Sequence, residues 1–405
     1  MTISIGLMMF PVLMIFIFIG FPVAFSLMGV AVLFGYLRFG DLLVHQLVAK
    51  VDDVASYYVL SAVPLFIFMG CMLEKSGISE KLFEAMHLIT RKLPGGLAVA
   101  TIILCVFFAA ASGVVGAAES VVGLMVITVM LRHGYNKGLI SGTICAGGSL
   151  GTIIPPSVVV VILSPIAGVG VGNLFVGIMI PGLILAALYI FYILIRCTIW
   201  PNDGPSDHTE TESASLIRDV WIIITALVPL LTLIFSVLGS IMLGWATPTE
   251  AGAMGALGTI FLTALYGTFK FSFLNEAFIK TLRITSMIVT ILLGGMMFAS
   301  IFVALGGLSV VRNFFEVSNL TVWPTILIFM LITFIAGFVL EFISIMIIVV
   351  PVAVAVLRPM GVDDVWFCIL FLIVIQTSYL TPPMAPVSYT HLRAHETLRY
   401  LVCRL

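Results

Sequence analysis

Two prolyl-proline pairs sit inside otherwise apolar runs, one in 151–157 (Gly-Thr-Ile-Ile-Pro-Pro-Ser) and one in 376–383 (Gln-Thr-Ser-Tyr-Leu-Thr-Pro-Pro). A proline donates no backbone hydrogen bond and its ring clashes with the preceding turn, so each pair ends a helix and strips carbonyls upstream of their donors. Where water is absent, such a break is tolerated only against a cavity or inside protein. The freed carbonyls, the neighbouring hydroxyls and the two helix ends are groups that bind ions and polar solutes. One such break in each half of the chain implies an ion and substrate site at the midplane of a secondary transporter built from repeats.

Two carboxylates add to this. Glu119 and Glu341 stand in apolar runs, where an ionisable group costs about 2.5 to 3.5 kcal/mol on insertion scales and therefore faces a cavity or a partner. Each can pair with a cation, carry a proton, or be held by hydroxyls. An intramembrane enzyme would need a nucleophile with a base or a metal set. The six histidines and six cysteines lack metal-ligand spacing, and no histidine stands at depth beside Ser112 and Glu119.

The elements that must position these groups follow from composition. Of 405 residues, 61% are hydrophobic and 9% charged, against roughly a quarter charged in soluble domains, which defines an all-α polytopic membrane protein. A net charge of -1 argues against nucleic acid as a partner. The N-terminus has no basic region followed by a small-residue cleavage site, so its first apolar segment is expected to remain a span.

Spans are expected near 4–19, 20–37, 55–75, 138–167, 175–198, 218–242, 249–267, 285–307 and 363–386. Blocks 95–132 and 322–357 each carry a polar, Gly-containing point near the middle and read as helical hairpins that enter and leave on one side. Segments 81–92 and 273–283 read as amphipathic surface helices. Small residues at Gly142, Ala146, Gly147 and Gly148 permit close helix approach.

The chain thus divides into an N-terminal repeat half, 1–200 (hairpin 95–132, broken helix 138–167), a hydrophilic cytoplasmic linker, 201–216, and a C-terminal repeat half, 217–386 (hairpin 322–357, broken helix 363–386). An offset of 227 superposes Pro155-Pro156 on Pro382-Pro383 and Gly134 on Gly361. After Pro386 the apolar pattern collapses, and 387–405 is expected to be a non-native tail in place of the last span.

In this order, Gly134-Tyr135, the run 147–157 (Gly-Gly-Ser-Leu-Gly-Thr-Ile-Ile-Pro-Pro-Ser), Leu174-Phe175, Pro181-Gly182, the run 247–251 (Thr-Pro-Thr-Glu-Ala) and Thr381-Pro382-Pro383 resemble the large membrane (permease) subunit of TRAP (tripartite ATP-independent periplasmic) transporters. The resemblance covers about 1–386. It implies a sodium-coupled importer of organic acids in the bacterial inner membrane, with a small membrane subunit and a periplasmic substrate-binding protein as partners. It also implies an inverted-repeat elevator-type fold. The sequence departs from the common pattern at 111–119, where Glu119 follows a tip poor in hydroxyls. A related sodium/anion symporter that works without a binding protein is the alternative reading.

Sodium is a hard cation that takes oxygen ligands, and no other cofactor is expected. One candidate site joins Ser112 and Gly113 at the first hairpin tip to Gly151, Thr152 and Pro155. Its inverted mate joins Gly337 and Glu341 to Thr377, Ser378 and Thr381. The alternative for the hydroxyls is that they bond back to carbonyls of their own turn. No Arg or Lys lies deep within an expected span, so the substrate carboxylate is assigned to helix N-termini and hydroxyls near Ser157 and Met384, with Pro156, Pro383, Glu119 and Glu341 around it. Glu250, beside Pro248, reads as a first-turn acid rather than a ligand.

With the N-terminus outside, the inward loops collect Lys75, Lys81, Arg91, Lys92, Arg132, Lys137, Arg196, Arg218, Lys270, Lys280 and Arg283, and the outward loops only Arg38, Lys50, Arg312 and Arg358. That asymmetry sets the orientation. Single cysteines at Leu93 and Lys137, in a background without native cysteines, should be labelled only from the cytoplasmic side, and those at Ser318 and Asp363 only from outside. Labelling of Leu93 and Lys137 from opposite sides would show that 95–132 crosses the membrane.

Overall fold

The computed structural model describes residues 5–113, 117–205 and 216–380, and the helices named below account for most of them, with no strand among the described residues. The first helices are α1 (Ile5–Ile19), α2 (Val23–Phe39), α3 (Leu43–Ser56), α4 (Ala62–Lys75) and α5 (Ile78–Thr90). The first hairpin is α6 (Gly96–Ser112) and α7 (Ala117–Arg132), and the first broken helix is α8 (Lys137–Ser149) and α9 (Val158–Ala167). There follow α10 (Val171–Ile199), α11 (Leu216–Ile234), α12 (Ser240–Met242), α13 (Pro248–Leu265), α14 (Phe271–Ala304) and α15 (Gly307–Val317). The second hairpin is α16 (Val322–Ala336) and α17 (Phe342–Leu357), followed by α18 (Asp364–Val374) and α19 (Gln376–Leu380). The expected 201–216 connector and the 387–405 tail fall wholly or largely outside the described residues.

Contacts group the helices into two compact units. One comprises 1–60, 162–170 and 283–384; the other comprises 61–161, 171–282 and 385–405. In the second of these, α13 lies close against α4. A Cβ on Gly252 would stand 3.0 Å from the Leu65 Cβ, and one on Gly255 would run into Met69, so the missing side chains set the separation of the two helices. At the far end of α4, Glu74 pairs with Lys280 at 2.5 Å and Lys75 with Glu276 at 3.0 Å. The start of the 201–216 connector is also built in. Gly204 is buried, its carbonyl accepts from Gly95 N at 3.1 Å, and the Asp203 carbonyl accepts from Asn136 N at 2.9 Å.

In the other unit, α17 packs with α16 and α18, and Phe329 lies 5.2 Å from Phe315 and 6.5 Å from Phe367 between ring centroids.

The turn that follows each hairpin is built the same way in both halves. Gly134 and Gly361, 361 − 134 = 227 apart, adopt φ +73 and +80, a left-handed conformation that glycine enters without a Cβ penalty. Gly134 N donates to Leu131 O at 3.2 Å and Tyr135 N to Met130 O at 3.0 Å; Gly361 N donates to Arg358 O at 3.1 Å and Val362 N to Leu357 O at 3.3 Å. This pair of bonds is the Schellman motif. Two residues on, Asn136 caps α8 by accepting from Gly138 N, and Asp363 caps α18 by accepting from Trp366 N, each at 2.8 Å.

Three expectations change. Segment 273–283 is no separate surface helix but the first third of the 34-residue α14, because no glycine or proline stands between 271 and 293 to separate it from the apolar part of the helix. Two amphipathic helices, α3 and α15, occupy stretches read as loops. The expected 218–242 span contains a π turn over Phe235–Gly239. Glu250 is the first-turn acid its position predicts: Thr247 Oγ1 accepts from Glu250 N at 3.3 Å while Thr247 N donates to Glu250 Oε2 at 2.7 Å. Thr247→Ala removes half of this capping box and should destabilise the protein by about 1 kcal/mol, read as a lower midpoint of thermal unfolding in detergent; an unchanged midpoint would mean the cap is replaced by solvent.

Candidate functional site

The first break is buried along its whole length from Gly151 to Ser157. After α8 the chain makes one 3-10 turn over Leu150–Thr152, in which Leu150 O accepts from both Ile153 N and Ile154 N. Pro155 and Pro156, joined by a cis peptide bond, offer no N–H to the carbonyls of Gly151 and Thr152 four residues back. The break therefore presents backbone oxygens that no continuing helix covers. Gly182 of α10 comes within reach of it: a Cβ there would lie 3.0 Å from Ile153 O.

The first hairpin tip meets this break directly. Gly113 ends α6 at φ +59; its carbonyl accepts from Val158 N at 3.1 Å, and a Cβ on it would stand 2.5 Å from Pro156 O. The tip thus supplies the acceptor for the first amide of α9. The structure thus places Gly113 against Pro156, in the buried segment that also holds Gly151, Thr152, Pro155 and Ser157. Ser112 ends α6 and Glu119 lies near the start of α7, but their side chains lie outside the described residues.

The second tip contacts α19 within its own unit. A Cβ on Gly337 would lie 3.0 Å from Ser378 Cβ, and Phe342, at the start of α17, stands 5.2 Å from the Tyr379 ring. Gly337, Thr377 and Ser378 are therefore brought together. Glu341 is the half-buried residue preceding α17 and makes no side-chain capping bond. Thr381, Pro383 and Met384 lie outside the described residues.

The hydroxyls bond back as the alternative reading allows. Thr152 Oγ1 donates to Ser149 O at 2.9 Å, Thr377 Oγ1 to Val374 O at 2.7 Å and Ser378 Oγ to Ile375 O at 2.8 Å. A hydroxyl whose proton is committed to the backbone still turns oxygen lone pairs outward, so these bonds orient a cation ligand as readily as they satisfy a packing residue. Ser157 differs: it is fully buried and its Oγ has no hydrogen-bond partner among the described residues. It sits where a helix begins, beside the positive end of the α9 dipole.

Ser344, in the first turn of α17, was not singled out from the sequence. It is also fully buried with its Oγ unpartnered among the described residues. The only signal for it was a lone hydroxyl in the apolar run 342–357, three residues after Glu341.

Apolar helices, two hairpins, and helix breaks packed against the hairpin tips define a membrane transporter rather than a soluble domain or a single-span anchor. A structure search places the chain on the fold of the Alcanivorax borkumensis YdaH transporter, described as having an unusual topology, with a TM-score of 0.62 at 14% identity, covering 94% of this chain and 90% of that one. The sequence profile of the DctM component of the tripartite ATP-independent periplasmic (TRAP) transporters matches residues 10–396. The chain belongs to this family. It is 28% identical over 344 residues to the C4-dicarboxylate TRAP transporter large permease protein of Pseudomonas aeruginosa, covering 84% of this chain and 78% of that protein. It is 27% identical over 380 residues to the sialic acid TRAP transporter large permease protein of Vibrio cholerae, covering 92% and 86%.

Gly113→Ala meets both a left-handed backbone and the Pro156 carbonyl, so it should lower the unfolding midpoint and cut solute uptake by more than tenfold. Gly142→Ala, in the interior of α8 with no atom within 4 Å of its Cβ, should stabilise by about 0.5–1 kcal/mol. Equal effects of the two substitutions would show that the tip contact is not tight.

Proposed function

We propose that this chain is the large membrane subunit of a sodium-coupled secondary transporter that imports organic acids across the bacterial inner membrane. A periplasmic binding protein delivers the acid, and a small membrane subunit completes the transporter. The observation that carries the reading is the contact of each hairpin tip with a helix break, Gly113 on Pro156 and Gly337 on Ser378. Such a contact gathers carbonyl and hydroxyl oxygens where the bilayer supplies no water, and an all-oxygen donor set suits a hard monovalent cation better than a zinc or redox centre.

The two relatives described above carry C4-dicarboxylate and sialic acid in their names. Both solutes are carboxylates, and this supports the substrate class. Ser157 at the α9 N-terminus is the donor assigned to the carboxylate, by the same helix-terminus chemistry that holds other anions. Ser112, Gly113, Gly151, Thr152 and Pro155 are assigned to one sodium, and Gly337, Thr377, Ser378 and Thr381 to a second. Hairpins and broken helices move together past a scaffold in this reading, an elevator cycle between two halves of opposite topology.

The test is succinate uptake into proteoliposomes holding the chain with its small subunit, with binding protein added outside. Uptake should need a sodium gradient and the binding protein. Thr152→Ala with Pro156→Ala should raise the sodium concentration for half-maximal uptake several-fold, and Ser157→Ala should raise KM for succinate with less effect on sodium. Uptake undiminished when choline replaces sodium would overturn sodium coupling, and uptake without the binding protein would move the chain to the symporter reading.

A further inference from the structure

A groove of about 480 Å³ runs along the seam of α8 and α10 within a single unit. The helices are antiparallel there: Gly138 and Arg196 line one end, Ala146 and Leu185 the other. At 1.5 Å per residue, 138–146 spans roughly 12 Å, within the ~15 Å depth of one hydrocarbon leaflet. Small residues of α8 form its floor, and Leu188, which lines it, belongs to the exposed face of α10 with Ile180, Ile184 and Phe191. In a membrane transporter that face meets lipid.

Two polar features mark the groove as more than a packing defect. Thr143 lines it, is only 3% exposed, and its Oγ1 has no hydrogen-bond partner among the described residues. Thr101 and Thr263 donate to the carbonyls four residues back, Leu97 O and Thr259 O; Thr143, like Thr281 and Thr285 of α14, has no such bond among the described residues, and of these three it alone lines the groove. At the mouth, Arg196 donates to Tyr192 Oη at 2.9 Å and to Asp203 Oδ2 at 3.0 and 2.9 Å. That engages three of its five N–H groups, and its side chain is 33% exposed.

Asp203 offsets the Arg196 charge. Exposed Lys137 and the N-terminus of the 13-residue α8 leave the mouth positive.

We propose that this groove holds one acyl chain of an anionic phospholipid from the leaflet on the chain's positively charged side. The phosphate sits at Arg196, Lys137 and the start of α8, and an ester carbonyl accepts the Thr143 hydroxyl. The ligand is thus recognised by both parts: a neutral-headgroup lipid loses the charge, and a headgroup without tails loses the groove.

The test uses the purified full chain in mild detergent, with phosphatidylglycerol, phosphatidylcholine and glycerol phosphate as probes, read by thermal unfolding and by native mass spectrometry. Phosphatidylglycerol should raise the unfolding midpoint by several degrees and remain as a one-to-one adduct, and the other two probes should do so far less. Gly142→Leu, for which the groove has room, should weaken phosphatidylglycerol binding at least tenfold. Should that variant fail to fold, two milder changes carry the test: Lys137→Gln should reduce the phosphatidylglycerol response to the phosphatidylcholine level, and Thr143→Val should weaken both lipids. Wild-type phosphatidylglycerol binding in all folded variants would overturn the proposal. So would glycerol phosphate matching the lipid, or a Gly142→Leu chain that keeps its lipid response but no longer co-purifies with its small subunit, which would assign the groove to a protein helix.

Discussion

A backbone carbonyl in hydrocarbon must find a donor inside the protein, and the architecture around the first hairpin depends on that demand. Pro155 and Pro156 withdraw two donors at once from the carbonyls of Gly151 and Thr152. The groups on either side are met locally. Leu150 O takes two amides, the Thr152 hydroxyl covers Ser149 O, and the first amide of α9 is met from outside the helix by Gly113 O. A helix that had simply continued would have left the hairpin tip nothing to bond. The break and the tip therefore require each other, and only a glycine can bring the tip backbone this close to the Pro156 carbonyl.

The turns at Gly134 and Gly361 match closely, although both are exposed. Each reverses the chain after a hairpin leg and starts a helix that will be interrupted about a dozen residues later. A Schellman turn satisfies the last carbonyls of the outgoing helix, and the Asn136 or Asp363 cap satisfies the first amides of the incoming one. Identical bonds at an offset of 227 residues are a stronger sign of duplication than the residue matches themselves, since Tyr135 and Val362, or Asn136 and Asp363, differ in identity and agree in backbone geometry.

How much of this was legible in the sequence depended on whether the signal was carried by the backbone or by packing. The Pro155-Pro156 pair, Gly134 and the Thr247-Pro248-Thr249-Glu250 cap are backbone signals, and the first break, the turn and the capping box appear where they point; Pro382-Pro383 lies outside the described residues. The helices α3 and α15 were missed because Asp41, Lys50, Asp52 and Asp53 in one stretch and Arg312 and Glu316 in the other resemble solvated loop charge, while their apolar faces are only about three turns long. The surface segment 273–283 was separated from its span by its charges, although no glycine or proline stands between Phe271 and Leu293. Ser344 and Thr143 were illegible for a different reason: a lone hydroxyl in an apolar run becomes informative only when its neighbours are known to withhold a partner.

The absence of a deep Arg or Lys bears on how cation and anion are linked in the proposed cycle. An arginine at the site would hold a carboxylate whether or not sodium were bound, and the protein would carry the anion uncoupled. Helix N-termini contribute only about half a charge each, and a buried hydroxyl such as Ser157 contributes a dipole. These bind a dehydrated carboxylate weakly on their own. A sodium held by the carbonyls of the same break adds a full positive charge to that low-dielectric neighbourhood, so each ion raises the affinity for the other by the same factor. In the proposed cycle, coupling would follow from a site without a fixed cation that neither ion fills well alone, and the burial of the first break from Gly151 to Ser157 would keep the attraction between the two charges from being screened.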